Sequence, residues 1–240
     1  MSAGASLPRR SVERSFFLWM AVSLALLIFA GFARSYYLRP LFGFEPLTLF
    51  LHLHGLVMTL WFVLLIVQVS LVAMRRTDIH RRLGLFAAVL AAAMVGVTCV
   101  ASIRVARRHF TAFPATVDWA AFLLVSLGLI FTFAGFFMLA VWFRRQPGIH
   151  KRLMVLATLS IVGPAISRLP FAFIQQASLW PSIGVADLCL LACVGADTFR
   201  NRRLHPAFAW GGSFVVLSHP VLVALGNGAR WHHIAPWLVR

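Results

Sequence analysis

Polar residues are missing from long stretches of this chain. Seven apolar runs can be drawn, at about 15–37, 47–74, 84–105, 119–143, 153–174, 181–199 and 207–226. Each approaches the ~20 residues that cross a bilayer. Lipid offers a bare backbone no hydrogen bonds, so each run is expected to be helical. None shows the alternation of a barrel strand. The pattern predicts an all-α fold: one domain over residues 1–240, an integral membrane bundle of seven transmembrane helices. The last run is the most interrupted, by Pro206, Pro220, Gly226 and Gly228.

The connections between the runs are basic, and unevenly so. The N-terminal segment and the 2–3, 4–5 and 6–7 connections carry fourteen Lys and Arg, and the opposite side eight. Positive residues stay on the cytoplasmic side, which predicts a cytoplasmic N-terminus and, with seven spans, an outer C-terminus. The first run, Phe16–Phe32, is longer than the apolar core of a cleaved signal and lacks a small-residue cleavage site, so it is expected to be retained as a helix. Three of the basic connections resemble one another: RRTDIHRRLG (75–84), RRQPGIHKRLM (144–154) and RNRRLHPAF (200–208). In each, an aliphatic–histidine pair follows a leading arginine. This predicts three helical hairpins added to a first helix. Topology and lipid binding account for the arginines but ask for no imidazole at a fixed register.

Composition agrees with the pattern. Hydrophobic residues make up 61 % of the chain and charged ones 12 %, unlike a soluble domain. The net charge of +16 lies between apolar runs, where it suits anionic lipid headgroups at the cytoplasmic loops rather than nucleic acid. Cys99, Cys189 and Cys193 all lie inside apolar runs, so neither a disulfide framework nor a metal site is expected. No nucleotide-binding glycine loop, covalent-haem motif, zinc-protease motif or serine-nucleophile motif is present. No catalytic residue can be assigned.

Ionisable residues within spans are costly and face the protein interior, which makes them the candidates for function. On the second helix, His54, Met58, Trp61, Leu65 and Gln68 form one stripe. That turns His54 inward, with Gln68 about 21 Å further along the same face, while His52 is expected at headgroup level. Gly55 leaves room for a neighbouring helix or a flat ligand. Arg168 on the fifth helix is expected to pair with Asp187 on the sixth, whereas Asp197 is expected to form a helix-end pair with Arg200. The pairs Ala92/Gly96, Gly128/Gly135 and Gly211/Gly212 are expected to be packing contacts. Two polar levels emerge: His54, Arg168, Asp187 and His219 toward the outer face, and Gln68, His80 and His150 toward the cytoplasmic face. Imidazoles from facing helices can ligate haem iron, and arginines at the membrane edge can pair with its propionates.

The motifs His54…Gln68, HRRLG (80–84), HKRLM (150–154) and Arg168-Leu169 resemble those of bacterial multi-pass membrane proteins of unassigned function. The resemblance covers most of helices two to five and, through RRLHPA (202–207), the start of the seventh. It implies a bacterial cytoplasmic (inner) membrane protein of this fold. More loosely, His54-Gly55 with Met58 and Trp61 is similar to the first haem-ligand helix of b-type di-haem transmembrane cytochromes. That likeness implies haem b held by two histidine pairs, His54 with His219 and His80 with His150, and electron transfer to a redox partner. His80 and His150 depart from that pattern by falling at helix starts.

Two other functions fit the same residues. The outer cluster suits a small-solute or proton-coupled transporter, and the bundle as a whole suits a non-catalytic partner in assembly of a respiratory complex.

Overall fold

A computed structural model describes the chain over residues 9–112, 118–175 and 179–239, with side chains from residue 16 and, in the third span, up to residue 108. The side chains of Arg9, Arg10, Arg14 and Arg240, which enter the charge count, therefore lie outside the described ones. The described residues form helices and turns without strands. The helices are α1 (Arg9–Phe32), α2 (Leu49–Ala73), α3 (Thr77–Ala112), α4 (Trp119–Trp142), α5 (Pro147–Leu159), α6 (Gly163–Ile166), α7 (Trp180–Asn201), α8 (Pro206–Gly226) and α9 (Ala229–Leu238). Seven segments are long and apolar enough to cross a membrane, so the chain is a multi-pass membrane protein. Leu26, Val63, Leu85, Val89, Met138, Leu188 and Leu217 are exposed around it, a surface suited to lipid tails.

Several boundaries differ from the sequence expectation. The first span closes with a π-helical turn at Ala33–Tyr37 after α1 ends. α3 begins seven residues early, at Thr77, and α5 six residues early, at Pro147. Proline at the first helical position lacks only an N–H that would go unbonded anyway, so α5 can start there despite its basic flank. The fifth run, expected over 153–174, is broken: α5 stops at Leu159, α6 adds four residues, and turns follow to residue 175. Pro164 has no N–H to continue the ladder, and Ser160 bonds back to the Ala157 carbonyl at 2.7 Å. By contrast, α8 runs unbroken through Pro220. The amphipathic α9 was not anticipated at all. Trp231 ties it down by donating to the Ala120 carbonyl at 2.6 Å, and His232 by bonding Asp118 at 3.1 Å.

The fifth span is the axle of the bundle: 61 % of its apolar window is buried, against 22–33 % for the other six. α5 packs on α4, α7 and α8, while α6 packs on α1 and α7. Around it, α1 packs on α2, α2 on α3, α3 on α4 and α4 on α8. Trp61 joins α2 to this axle, with its ring 4.9 Å from Phe133 and its Nε1 donating to Thr158 at 3.4 Å. Two glycines permit backbone contact. A Cβ at Gly31 would lie 2.2 Å from the Ala165 carbonyl oxygen, and one at Gly226 would lie 2.8 Å from the Ala121 Cα. Gly128, Gly211 and Gly212 do meet neighbouring side chains as expected; a Cβ at Gly96 or Gly135 would meet nothing within 4 Å, so these two are not packing contacts.

Candidate functional site

The polar residues of the spans fall at two ends of the bundle. Below, the basic end is the one carrying the 2–3, 4–5 and 6–7 connections, and the far end is its opposite.

At the basic end, the first two histidine-bearing connections are built alike. His80 is the fourth residue of α3 and His150 the fourth of α5. The turn before α3 is closed by Arg75 in the left-handed region (φ 62°) and by the Arg76 N–H donating to the Leu71 carbonyl at 2.8 Å. That arrangement caps α2 and aims α3 back across the membrane. The His80 and His150 rings, from α3 and α5, meet edge-on with centroids 6.3 Å apart and planes at 84°. His150 Nδ1 donates to the Ala140 carbonyl at 2.7 Å, which fixes the tautomer and leaves Nε2 its lone pair. The Gln68 main-chain carbonyl acts on the His80 ring. The expected inner trio is therefore assembled. Its balance is incomplete, because His80 Nδ1 and Gln68 Oε1 are buried without a hydrogen-bond partner. Gly84, one turn beyond His80, faces open space.

The third connection departs from this register. His205 is the N-cap of α8 rather than its fourth residue, accepting from the Ala207 N–H at Nδ1, 3.1 Å. Beside it lies an ion pair that the sequence suggested only in part. Arg152 grips Asp197 with both arms of its guanidinium, at 2.8 and 2.9 Å, and both residues are buried, 4 % and 1 % exposed. The expected pairing of Asp197 with Arg200 is thus replaced; Arg200 instead lies over the Phe16 ring. The spacing between Arg152 and Asp197 offered no signal, since 45 residues separate them.

At the far end the expected four-residue cluster divides in two. Asp187 does not pair with Arg168: its partner is His219, whose Nδ1 lies 2.8 Å from Oδ1. His219 is 5 % exposed. Arg168 donates to the Pro164 carbonyl at 2.6 Å and lies 4.9 Å from the centre of the Phe32 ring. After the break in the fifth span, α6 packs on both α1 and α7, and Arg168 turns to the α1 side, over Phe32. The charge of Arg168 instead reaches His54, whose Nδ1 is buried and unpaired. His54 and His219 make no ring contact of the kind joining His80 and His150. Gly55 does admit a close neighbour, though neither a helix nor a ligand. Tyr36 fills the place, where a Cβ would fall 2.3 Å from its ring, and its hydroxyl donates to the His52 carbonyl at 3.1 Å. Next to it, Thr59 gives its proton to the Gly55 carbonyl at 2.7 Å, so Tyr37 donates to Thr59 at 2.9 Å.

No group of three or more His, Cys, Asp or Glu side chains among the described residues could hold a bare metal ion. What the basic end offers is a two-imidazole donor set, which suits a metal that brings its other ligands with it. No protein-family model, curated protein or solved structure matches the chain.

Proposed function

We propose that this protein is a haem-binding electron carrier of a bacterial cytoplasmic membrane, N-terminus inside, in which His80 and His150 would hold the haem. The observation that carries this reading is the 6.3 Å separation of the two rings, which come from different helices. A metal held between two imidazoles sets their ring centres roughly 6 Å apart, from two bonds of about 2 Å and about 1 Å of ring on each side. The donor chemistry fits as well. His150 is oriented by a carbonyl on its other nitrogen, the usual support for a ligating imidazole. His80 has a buried Nδ1 with no partner, a vacancy that costs about 1–3 kcal/mol if nothing fills it.

Haem would supply one-electron chemistry there. The protein's part is to hold the two imidazoles neutral and opposed, and to place arginines of the basic connections, such as Arg76 and Arg81, where propionates reach the membrane edge. That end of the molecule would face the redox partner or respiratory complex, and its remaining arginines anionic headgroups. His54 and His219 are otherwise engaged: Asp187 bonds His219, and the positive charge of Arg168 acts on His54. The test is spectroscopic. Protein purified in maltoside should show a Soret band that His80→Ala and His150→Ala each abolish and His54→Ala preserves. A wild type colourless both as isolated and after haem is added would end the proposal.

A second reading is favoured by the half-buried Asp187 paired with the buried His219, which suits proton-coupled transport of a small solute. It predicts a pH-driven flux in proteoliposomes that Asp187→Asn removes while the fold persists.

A further inference from the structure

Arg168 stands two residues beyond the end of the fifth span at Ile166, without a carboxylate partner. Among the described residues, neither it nor the nearby Arg34 and Arg39 takes part in an ion pair. Arg34 sits over Phe42, and Arg39 donates to the main-chain carbonyls of Ser35, at 2.9 Å, and of Glu45. One of the five N–H groups of Arg168 is engaged, with the Pro164 carbonyl, and four remain available. Phe32 and Tyr37 bracket the π-helical turn that holds Ser35. Phe32 carries the Arg168 guanidinium on its ring, and Tyr36 packs on Gly55 beside His54. Ser35 belongs to the same turn as Tyr36, and its Oγ, like His54 Nδ1, is buried without a partner. Two orphaned polar atoms and one uncompensated cation share a single corner, where α1 meets α2 and α6. Arg168 itself remains exposed at the far end, so the corner is open to a ligand.

We propose that Arg168, His54 and Ser35 form a binding site for an oxyanion, a phosphate or carboxylate group that enters from the far end. The anion supplies what each member lacks. It gives the guanidinium a bidentate acceptor, and it accepts from the Ser35 hydroxyl and from an N–H of His54. Arg39, held on the Ser35 carbonyl, adds positive potential at the same turn. The inference does not rest on the haem reading, since it uses neither His80 nor His150.

Two sources share this chemistry, a lipid phosphate and a soluble anion. Thermal unfolding of the full chain in maltoside, titrated separately with inorganic phosphate, with succinate and with short-chain phosphatidylglycerol, separates them. Protection by phosphate or succinate identifies a soluble ligand, and protection by phosphatidylglycerol alone a headgroup. In either case Arg168→Met should weaken the apparent affinity at least tenfold. Ser35→Ala and His54→Phe should weaken it several-fold, and these two variants keep the test valid if the arginine variant folds poorly. Absence of protection by all three anions, or protection that survives in all three variants, overturns the proposal.

Discussion

Arg152 lies within the fifth span and Arg168 just beyond its end at Ile166, and their surroundings are opposite. Arg152 is buried in a two-armed grip on Asp197, with its remaining reach directed at the Gly148 carbonyl, 2.8 Å. Arg168 has one carbonyl, one aromatic face and open surroundings. A buried cation is tolerable when geometry and extra hydrogen bonds offset its desolvation, which is the state of Arg152. Its role is to lock α5 to α7 at the basic end. Arg168 has no such function in the fold, so its charge is available to something that arrives from outside. A charged residue in or beside a membrane span is thus a structural part or a site according to whether the chain also supplies its counter-ion.

The largest expected effect breaks the first half of this contrast. Asp197→Ala should cost about 3–5 kcal/mol, because it strands the Arg152 guanidinium in the interior. The double replacement Arg152→Met with Asp197→Leu should recover most of that loss, since an apolar pair of similar volume removes both desolvation costs. Arg168→Met should change stability by less than about 1 kcal/mol. Reversible unfolding in mixed maltoside and dodecyl sulfate micelles would measure all three. A loss at Arg168 as large as that at Asp197 would erase the distinction between the two arginines.

A smaller effect separates the walls of the two ends. Gly31→Ala places a Cβ 2.2 Å from the Ala165 carbonyl oxygen, a main-chain atom that cannot swing aside. Overpacking of this kind costs about 1–3 kcal/mol, and here it also pushes away the segment that carries Arg168. Gly84→Ala meets nothing within 4 Å. It should therefore gain about 0.5–1 kcal/mol from helix propensity alone, while narrowing the space beside His80. Equal destabilisation by the two alanines in the same unfolding assay would show that the room at Gly84 is already filled by packing.

The helices were legible because lipid forces apolar runs into helices, and the two-level placement of polar residues followed from helical spacing. The grouping of Gln68, His80 and His150 could be read for the same reason. Which groups pair within a level could not be. Asp187 meets His219 while Arg168 turns to the α1 side beyond the break at Ser160–Pro164, and a run of apolar letters does not reveal where a helix stops. Pro164 is the one residue letter that points to the break. The Arg152–Asp197 pair joins helices 45 residues apart, a contact that only the packing of α5 against α7 creates. α9 was not legible because its ten residues are too few to register as a span.

The smallest effect tests how far the charge of Arg152 extends beyond Asp197. His205 caps α8 through Nδ1 and must be deprotonated there to accept the Ala207 N–H. Burial holds its pKa below the ordinary histidine value, and the neighbouring Arg152, Arg203 and Lys151 add to this while Asp197 opposes them. A depressed folded-state pKa means that the unfolded chain binds the proton more tightly. The cap's contribution, about 1 kcal/mol, is then complete above an unfolded value of ~6.5 and is lost as pH falls through the folded one. His205→Ala should accordingly destabilise the protein at pH 8 and nearly match wild type at pH 5, while His205→Asn keeps a cap at both. Because Asp197 is the only opposing charge in this set, Asp197→Asn should move the loss to lower pH. A His205→Ala penalty unchanged between pH 8 and pH 5 would mean that His205 binds its proton equally well in the folded and unfolded chains, with Asp197 offsetting both burial and the neighbouring cations.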